Sequence, residues 1–176
     1  IGEHAVTDLA DRLSDIAELL VATTLQLAWD EMAARYGVPQ CEVEGEIQQP
    51  GIAIVAYGKL GGAELGYASD LDIVFVHNSR GARQVTSGDK QLDNSAFFAR
   101  VVQRFMHFLS TRTFSGVLYE IDTRLRPDGR AGLMVTSIEA FENYQRERAW
   151  TWEHQALIRA RVVAGDPNAA GEFVRI

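Results

Sequence analysis

The chain has 176 residues, 47% of them hydrophobic and 23% charged, with a formal net charge of -7. That suits one soluble globular domain with a sizeable core, and it excludes long-range disorder, collagen-like repeats and the basic patch of a bulk nucleic-acid or anionic-membrane binder. Cys41, the sole cysteine, leaves no disulfide or cysteine-zinc framework, no apolar run reaches membrane-spanning length, and the start at Ile1 predicts a piece of a longer cytoplasmic protein.

Residues 5–36 read as one long helix. Thr7 or Asp8 can cap it, and Leu9, Leu13, Ile16, Leu20, Thr24, Leu27 and Ala28 recur at three- and four-residue steps. Gly37 and Pro39 supply the stop. The spacing predicts a helix that packs on other helices, with its neighbours expected in sequence outside this chain. Residues 40–50 form a polar connector. Ile52 to Tyr57 is then an unbroken apolar run bounded by Pro50 and Gly58, the pattern of a strand buried on both faces. Leu71 to Val76 predicts a second such strand, and residues 80–90 a loop.

Asp93 can cap a helix to Ser110, with Phe97, Val101, Phe105 and Phe108 on its inner face. Val117 to Leu125 predicts a third strand. A turn at Pro127-Asp128-Gly129 leads to a short fourth strand at 132–135. Thr136 and Glu139 fit a capping box opening a helix toward Val163, which Gly165-Asp166-Pro167 ends. The element order predicts an α+β (or α/β) domain with a small sheet.

The chemistry concentrates in residues 58–72. Residues two apart in a strand share a face, so Asp70 and Asp72 point together, with Cα atoms about 6–7 Å apart. Val74 and Val76 continue that face, while Leu71, Ile73 and Phe75 fill the other. Two adjacent carboxylates repel, and a hard divalent cation such as Mg²⁺ is the usual compensation. Alone, Asp-x-Asp suits a solvated strand end equally well. The upstream Gly58, Gly61, Gly62 and Gly66 shift that balance, because glycines let backbone N–H groups approach a phosphate and Lys59 adds charge. The segment matches neither a Walker A loop nor a dinucleotide fingerprint.

On the third predicted strand Glu120, Asp122 and Arg124 share one face. A third carboxylate from a neighbouring strand allows two metal ions about 3.5–4 Å apart, as in-line displacement at phosphorus requires. Arg124, Arg126 and Arg130 can meet phosphates, with Arg124 favoured for the site and Arg130 for an ordinary surface ion pair. His107 and His154 read as packing residues, Trp150 and Trp152 as core or interface anchors, and Glu153, Arg159 and Arg161 as a solvated helix face.

Gly61-Gly62, Asp70-Leu71-Asp72 and Asp122 together resemble the DNA polymerase β-type nucleotidyltransferase superfamily. The run Gly-Lys-Leu-Gly-Gly-x-Glu-Leu-Gly-Tyr-x-Ser-Asp-Leu-Asp at 58–72 is more narrowly similar to the glutamine synthetase adenylyltransferase family. Thr111-Arg112-Thr113, Ser115-Gly116, Leu118-Tyr119-Glu120, Arg124-Leu125-Arg126-Pro127 and the run from Trp150 to Leu157 extend the likeness over residues 51–167. Ala68, where that family more often has Ser, is a mild departure.

The resemblance implies a small mixed sheet of the polymerase β type flanked by helices. Residues 1–39 would be the end of a linker, and 40–176 a nucleotidyltransferase domain whose last helix is cut short. It implies transfer of AMP from ATP to a tyrosine hydroxyl of glutamine synthetase with two Mg²⁺. Asp70, Asp72 and Asp122 would be the metal-holding catalytic acids, with Glu120 the alternative third acid and Asp122 a candidate acceptor for the tyrosine proton. Gly61, Gly62, Ser69, Lys59 and Arg124 would bind the nucleotide. Trp-Thr-Trp-Glu-His places the chain on the attaching rather than the AMP-removing side. The whole enzyme would also answer to the PII signalling protein, with no nucleic-acid or membrane partner. The alternatives are the removing activity, a silent nucleotide-binding module, and a transferase acting on a small alcohol.

Overall fold

The computed structural model describes residues 3–111 and 116–176, with side chains from residue 8 onward. Arg112, Thr113 and Ser115 therefore lie outside the described residues. The elements are helix α1 (Glu3–Tyr36), strands β1 (Pro39–Val43), β2 (Glu46–Gln48) and β3 (Ile52–Ala56), the one-turn helix α2 (Gly58–Gly61), and strands β4 (Leu71–His77) and β5 (Ala82–Thr86). Helix α3 (Asn94–Ser110), β6 (Ile121–Asp122), β7 (Val135–Ser137), α4 (Ile138–Glu147), α5 (Thr151–Leu157), β8 (Arg161–Gly165) and α6 (Pro167–Phe173) complete the chain. This is the expected α+β class, with a long N-terminal helix. Among the described residues no helix is long and apolar enough to cross a membrane.

The main sheet runs β6-β4-β3-β8. β3 pairs antiparallel with β4 and β8, while β6 and then β7 lie parallel to successive parts of β4 along one edge. β3 and β4 are continuous apolar runs because both their faces are covered. On one side Ile52, Ile54, Ala56, Leu71, Ile73 and Phe75 pack under α1 and α3. On the other, Ala53, Val55, Tyr57, Val74 and Val76 meet Phe141 of α4 and Phe173 of α6. The face alternation expected for β4 is the one observed.

α1 differs from expectation in three respects. Thr7 and Asp8 lie inside the helix rather than at its cap. Its buried stripe is Ala17, Val21, Leu25, Ala28 and Met32, whereas Leu9, Ile16 and Leu27 are exposed. Small side chains at 17 and 28 permit close approach, and α1 finds its neighbours within the chain, on α3 and β8. Trp29 seats edge-on against Phe97 of α3 at 5.3 Å. α3 itself is as expected at its start, where Asp93 Oδ1 accepts the Ser95 N–H at 2.9 Å. Phe108, expected on the inner face, packs against the core but is only half-buried, with the Arg104 guanidinium 4.5 Å over its ring.

Several segments read as loop or helix are strands. The 40–50 connector folds as the β1–β2 hairpin, turned by Glu44 and Gly45 at φ +53° and +85°, and β5 from the 80–90 loop joins it. Residues 161–163, read as the end of a helix, belong instead to edge strand β8. The long third strand shrinks to β6, because the Asp122 carboxylate takes the Arg124 N–H and turns the chain out of the ladder. The fourth strand falls at 135–137, and Ser137 rather than Thr136 caps α4. Asp166 and Pro167 open α6 instead of ending a helix.

Candidate active site

Register brings the acids together. Asp72 of β4 stands directly opposite Asp122 of β6, Leu71 opposite Ile121, and the Leu71 N–H donates to the Glu120 carbonyl at 2.9 Å. Parallel partners present like faces, so Asp72 and Asp122 emerge side by side, with Asp70 two residues back on the same face. Each offers a carboxylate oxygen, and these atoms all lie within 4.8 Å of one another. Glu120 lines the same cavity but stands outside that cluster.

The charges are only partly balanced. Burial, then Asp70 and Asp122, raise the Asp72 pKa above the usual carboxylate value, against the pull of Arg124 and Lys59. Asp122 moves the other way. Hydrogen bonding from Arg124 holds it low, with Nε donating to Oδ2 at 2.6 Å, the backbone N–H to Oδ1 at 2.8 Å, and Nη2 in ion-pair contact. A cluster of oxygen donors in which one member resists ionising suits a hard divalent cation, and the donor set fits Mg²⁺.

The glycine segment is built tightly around this cluster. Gly58 sits at φ +55°, and a Cβ there would stand 2.4 Å from Asp72 Oδ2, so only glycine lets the carboxylate rest on the backbone. A Cβ on Gly61 would meet the Arg159 carbonyl at 2.0 Å. The Gly61 and Gly62 N–H groups donate to the carbonyls of Tyr57 and Gly58, inside the α2 turn. Ser69 Oγ accepts the Gly66 N–H at 3.0 Å and faces Lys59 Nζ at 3.5 Å, tying the loop just ahead of Asp70.

A cavity of about 420 Å³ opens over the acids, walled by Asp70, Glu120, Asp122, Thr123, Arg124, Arg126 and Arg130, with Ile121 its one apolar side chain. Arg126, expected at phosphates, is buried and donates to the Thr123, Arg130 and Gly132 carbonyls and to Thr123 Oγ1. It braces the loop. Arg130, expected in a surface ion pair, instead points its charge at this cavity and helps lower the Asp122 pKa.

Glu153 is the residue that sequence reasoning missed. It is 5% exposed rather than solvated, receives the Tyr144 hydroxyl at 3.0 Å and the Trp150 N–H at 2.8 Å, and adds to the rise that burial gives the Tyr57 pKa. The Trp150-to-Glu153 capping spacing was the available signal. Arg159 is paired to Glu64 on the surface, and Arg161 is half-buried on β8 with Glu18. Trp150 and Trp152, read as packing residues, are 70% and 54% exposed.

Paired acids at the start of one strand, a third on its parallel neighbour and cations around them are the arrangement that the resemblance to polymerase β-type nucleotidyltransferases leads one to expect. The chain belongs to the glutamate-ammonia ligase adenylyltransferase family, whose family model matches residues 1–176. It is similar, at 57% identity over all 176 residues, to the bifunctional glutamine synthetase adenylyltransferase/adenylyl-removing enzyme of Thioalkalivibrio sulfidiphilus (strain HL-EbGR7). The chain spans 18% of that relative's length.

Proposed function

We propose that this domain transfers AMP from ATP to a tyrosine hydroxyl of glutamine synthetase and releases pyrophosphate. The observation that carries the reading is the Asp70, Asp72 and Asp122 cluster in a chain of this family. The tyrosine oxygen forms a bond to the α-phosphorus, the bond from that phosphorus to the bridging oxygen of the β-phosphate breaks, and the hydroxyl proton is lost. Two Mg²⁺ held by these carboxylates would offset phosphate charge and favour the attacking oxygen. Arg124, Arg130 and Lys59 face the phosphates, Ser69 fixes the loop that presents Asp70, and Gly61 and Gly62 supply its turn. Arg124 keeps Asp122 charged, which suits a metal ligand better than a proton acceptor. In this reading the whole enzyme also responds to the PII signalling protein.

The test separates attachment from removal in the full-length enzyme. Asp70→Asn is expected to abolish transfer of label from α-labelled ATP to glutamine synthetase, while phosphate-dependent release of AMP from modified glutamine synthetase persists. Loss of release with transfer intact would assign the domain to removal.

A further inference from the structure

We infer that Tyr144 and Glu153 are positioning residues: buried together, they fix the backbone turn that carries Arg130 to the phosphates of ATP. This rests on the proposed transfer reaction. Arg130 lines the cavity over the acids, whereas neither Tyr144 nor Glu153 does, so the two act through the turn and not on the substrate.

The turn needs fixing. Asp128 and Gly129 both lie in the left-handed region, at φ +59° and +53°. Glycine adopts that conformation freely, but an aspartate there is strained and keeps it only where its surroundings impose it. Asp128 also decides where Arg130 goes, because it caps the single 3-10 turn of residues 129–131, and the Ala131 N–H closes back on the Asp128 carbonyl at 3.2 Å. Arg126 supplies part of the restraint through the Thr123, Arg130 and Gly132 carbonyls. The rest comes from α4. Arg148, at its end, lies over the Tyr144 ring at 5.1 Å and pairs with the Asp128 carboxylate at 3.1 Å. Both partners of that ion pair are exposed, so it holds little by itself. The buried contact is the Tyr144 hydroxyl, which accepts the Asp128 backbone N–H.

Glu153 sets the direction of that bond. A carboxylate only accepts, so it draws the hydroxyl's one proton, at 3.0 and 3.2 Å from its two oxygens, and leaves a lone pair for the Asp128 N–H. The Trp150 N–H, at 2.8 Å, fixes the carboxylate in turn. Burial, then the bond to Glu153, raise the Tyr144 pKa against the pull of the Asp128 N–H, so the phenol keeps its proton. A glutamine could still cap α5 here, but its amide would compete as a donor to the same hydroxyl oxygen. The relay therefore runs from Glu153 through Tyr144 to the backbone of Asp128, two residues before Arg130.

The test uses the full-length enzyme, with unmodified glutamine synthetase and ATP as probes. Arg130→Gln is expected to raise KM for ATP about tenfold and leave KM for glutamine synthetase within about twofold. Tyr144→Phe keeps the ring beneath Arg148 and removes only the hydroxyl. It should raise KM for ATP about fivefold alone, but less than about twofold in the Arg130→Gln background, because one contact is lost in both. Glu153→Gln should follow Tyr144→Phe. The amides of residues 128–131 should exchange faster in Tyr144→Phe while those of β3 and β4 stay as protected as in the parent, which excludes general unfolding. Effects that multiply in the double variant, an unchanged KM for ATP in either single variant, or unaltered exchange at the turn would each overturn the inference. Asp70→Asn, run alongside, tests the reaction separately. If it abolishes transfer while Tyr144→Phe leaves KM for ATP unchanged, the positioning role alone has failed. Transfer that survives Asp70→Asn would overturn the transfer reading and the inference with it.

Discussion

β4 carries ionisable or polar groups at both ends and treats them in opposite ways. At its C-terminal end His77 is buried, stacked on Phe98 at 4.5 Å, and its Nδ1 accepts the Ser79 N–H at 3.2 Å. Ser79 Oγ donates to Gln84 and accepts from Asn94, which also donates to the Gln40 carbonyl. Burial lowers the His77 pKa to about 4, so the ring is neutral and its partners come from within the chain. At the N-terminal end three carboxylates crowd together, and burial, then Asp70 and Asp122, push the Asp72 pKa up. A polar cluster bonded largely within the chain, Asn94 Oδ1 alone lacking a partner there, holds the fold together; three crowded carboxylates cost stability.

The largest contrast should be in catalysis. Asp72→Asn is expected to lower AMP transfer by roughly 10³-fold, about 4 kcal/mol of transition-state stabilisation. His77→Asn should leave the transfer rate within about threefold while destabilising the domain by about 1–3 kcal/mol. Steady-state rates beside hydrogen exchange of the β3 and β4 amides would show both. If His77→Asn cost as much activity as Asp72→Asn, the two ends would not differ as argued.

The next effect is pH-dependent and belongs to the His77 end. Because the folded-state pKa falls from 6.5 to about 4, the folded protein binds fewer protons than the unfolded chain between those values. The His77 contribution is therefore complete above about pH 6.5 and lost as pH drops toward 4, a change of about 3 kcal/mol. Protection of the β4 amides, corrected for intrinsic exchange, should follow that window in the parent and not in His77→Asn.

How far the sequence carries follows the same division. The doubly buried β3 and β4 were readable because continuous apolar runs need no partner to be recognised, and the shared face of Asp70 and Asp72 follows from a period of two. β8 was not readable, because Arg161–Gly165 becomes a strand only by pairing with β3. The expected face of α1 holds for Ala28 but not for Ile16 and Leu27, because apolar residues occur around the helix and close packing selects Ala17 and Val21 instead. Glu153 and the two tryptophans reversed their expected places because a buried network outweighed each residue's own preference. The acids were visible from their types and spacing, but the Asp72–Asp122 pairing is a matter of register, which only the assembled sheet supplies.

The smallest expected effect has the opposite sign and is the sharpest. Without divalent ions Asp72 sits half-buried beside Asp70 and Asp122, with Lys59 and Arg124 only partly offsetting the repulsion. Asn keeps the shape and removes one of the repelling charges, so Asp72→Asn in chelator should be more stable than the parent by about 0.5–1 kcal/mol. Saturating Mg²⁺ should reverse the order, since a ligand at 100 times its Kd adds about 2.7 kcal/mol to the parent, and the variant has lost one of the carboxylates that would hold the ion. The same exchange experiment, with chelator and then with Mg²⁺, reads both. A variant less stable than the parent in chelator would mean that Asp72 is held by the fold for its own sake, as His77 is, and the two ends of β4 would be alike.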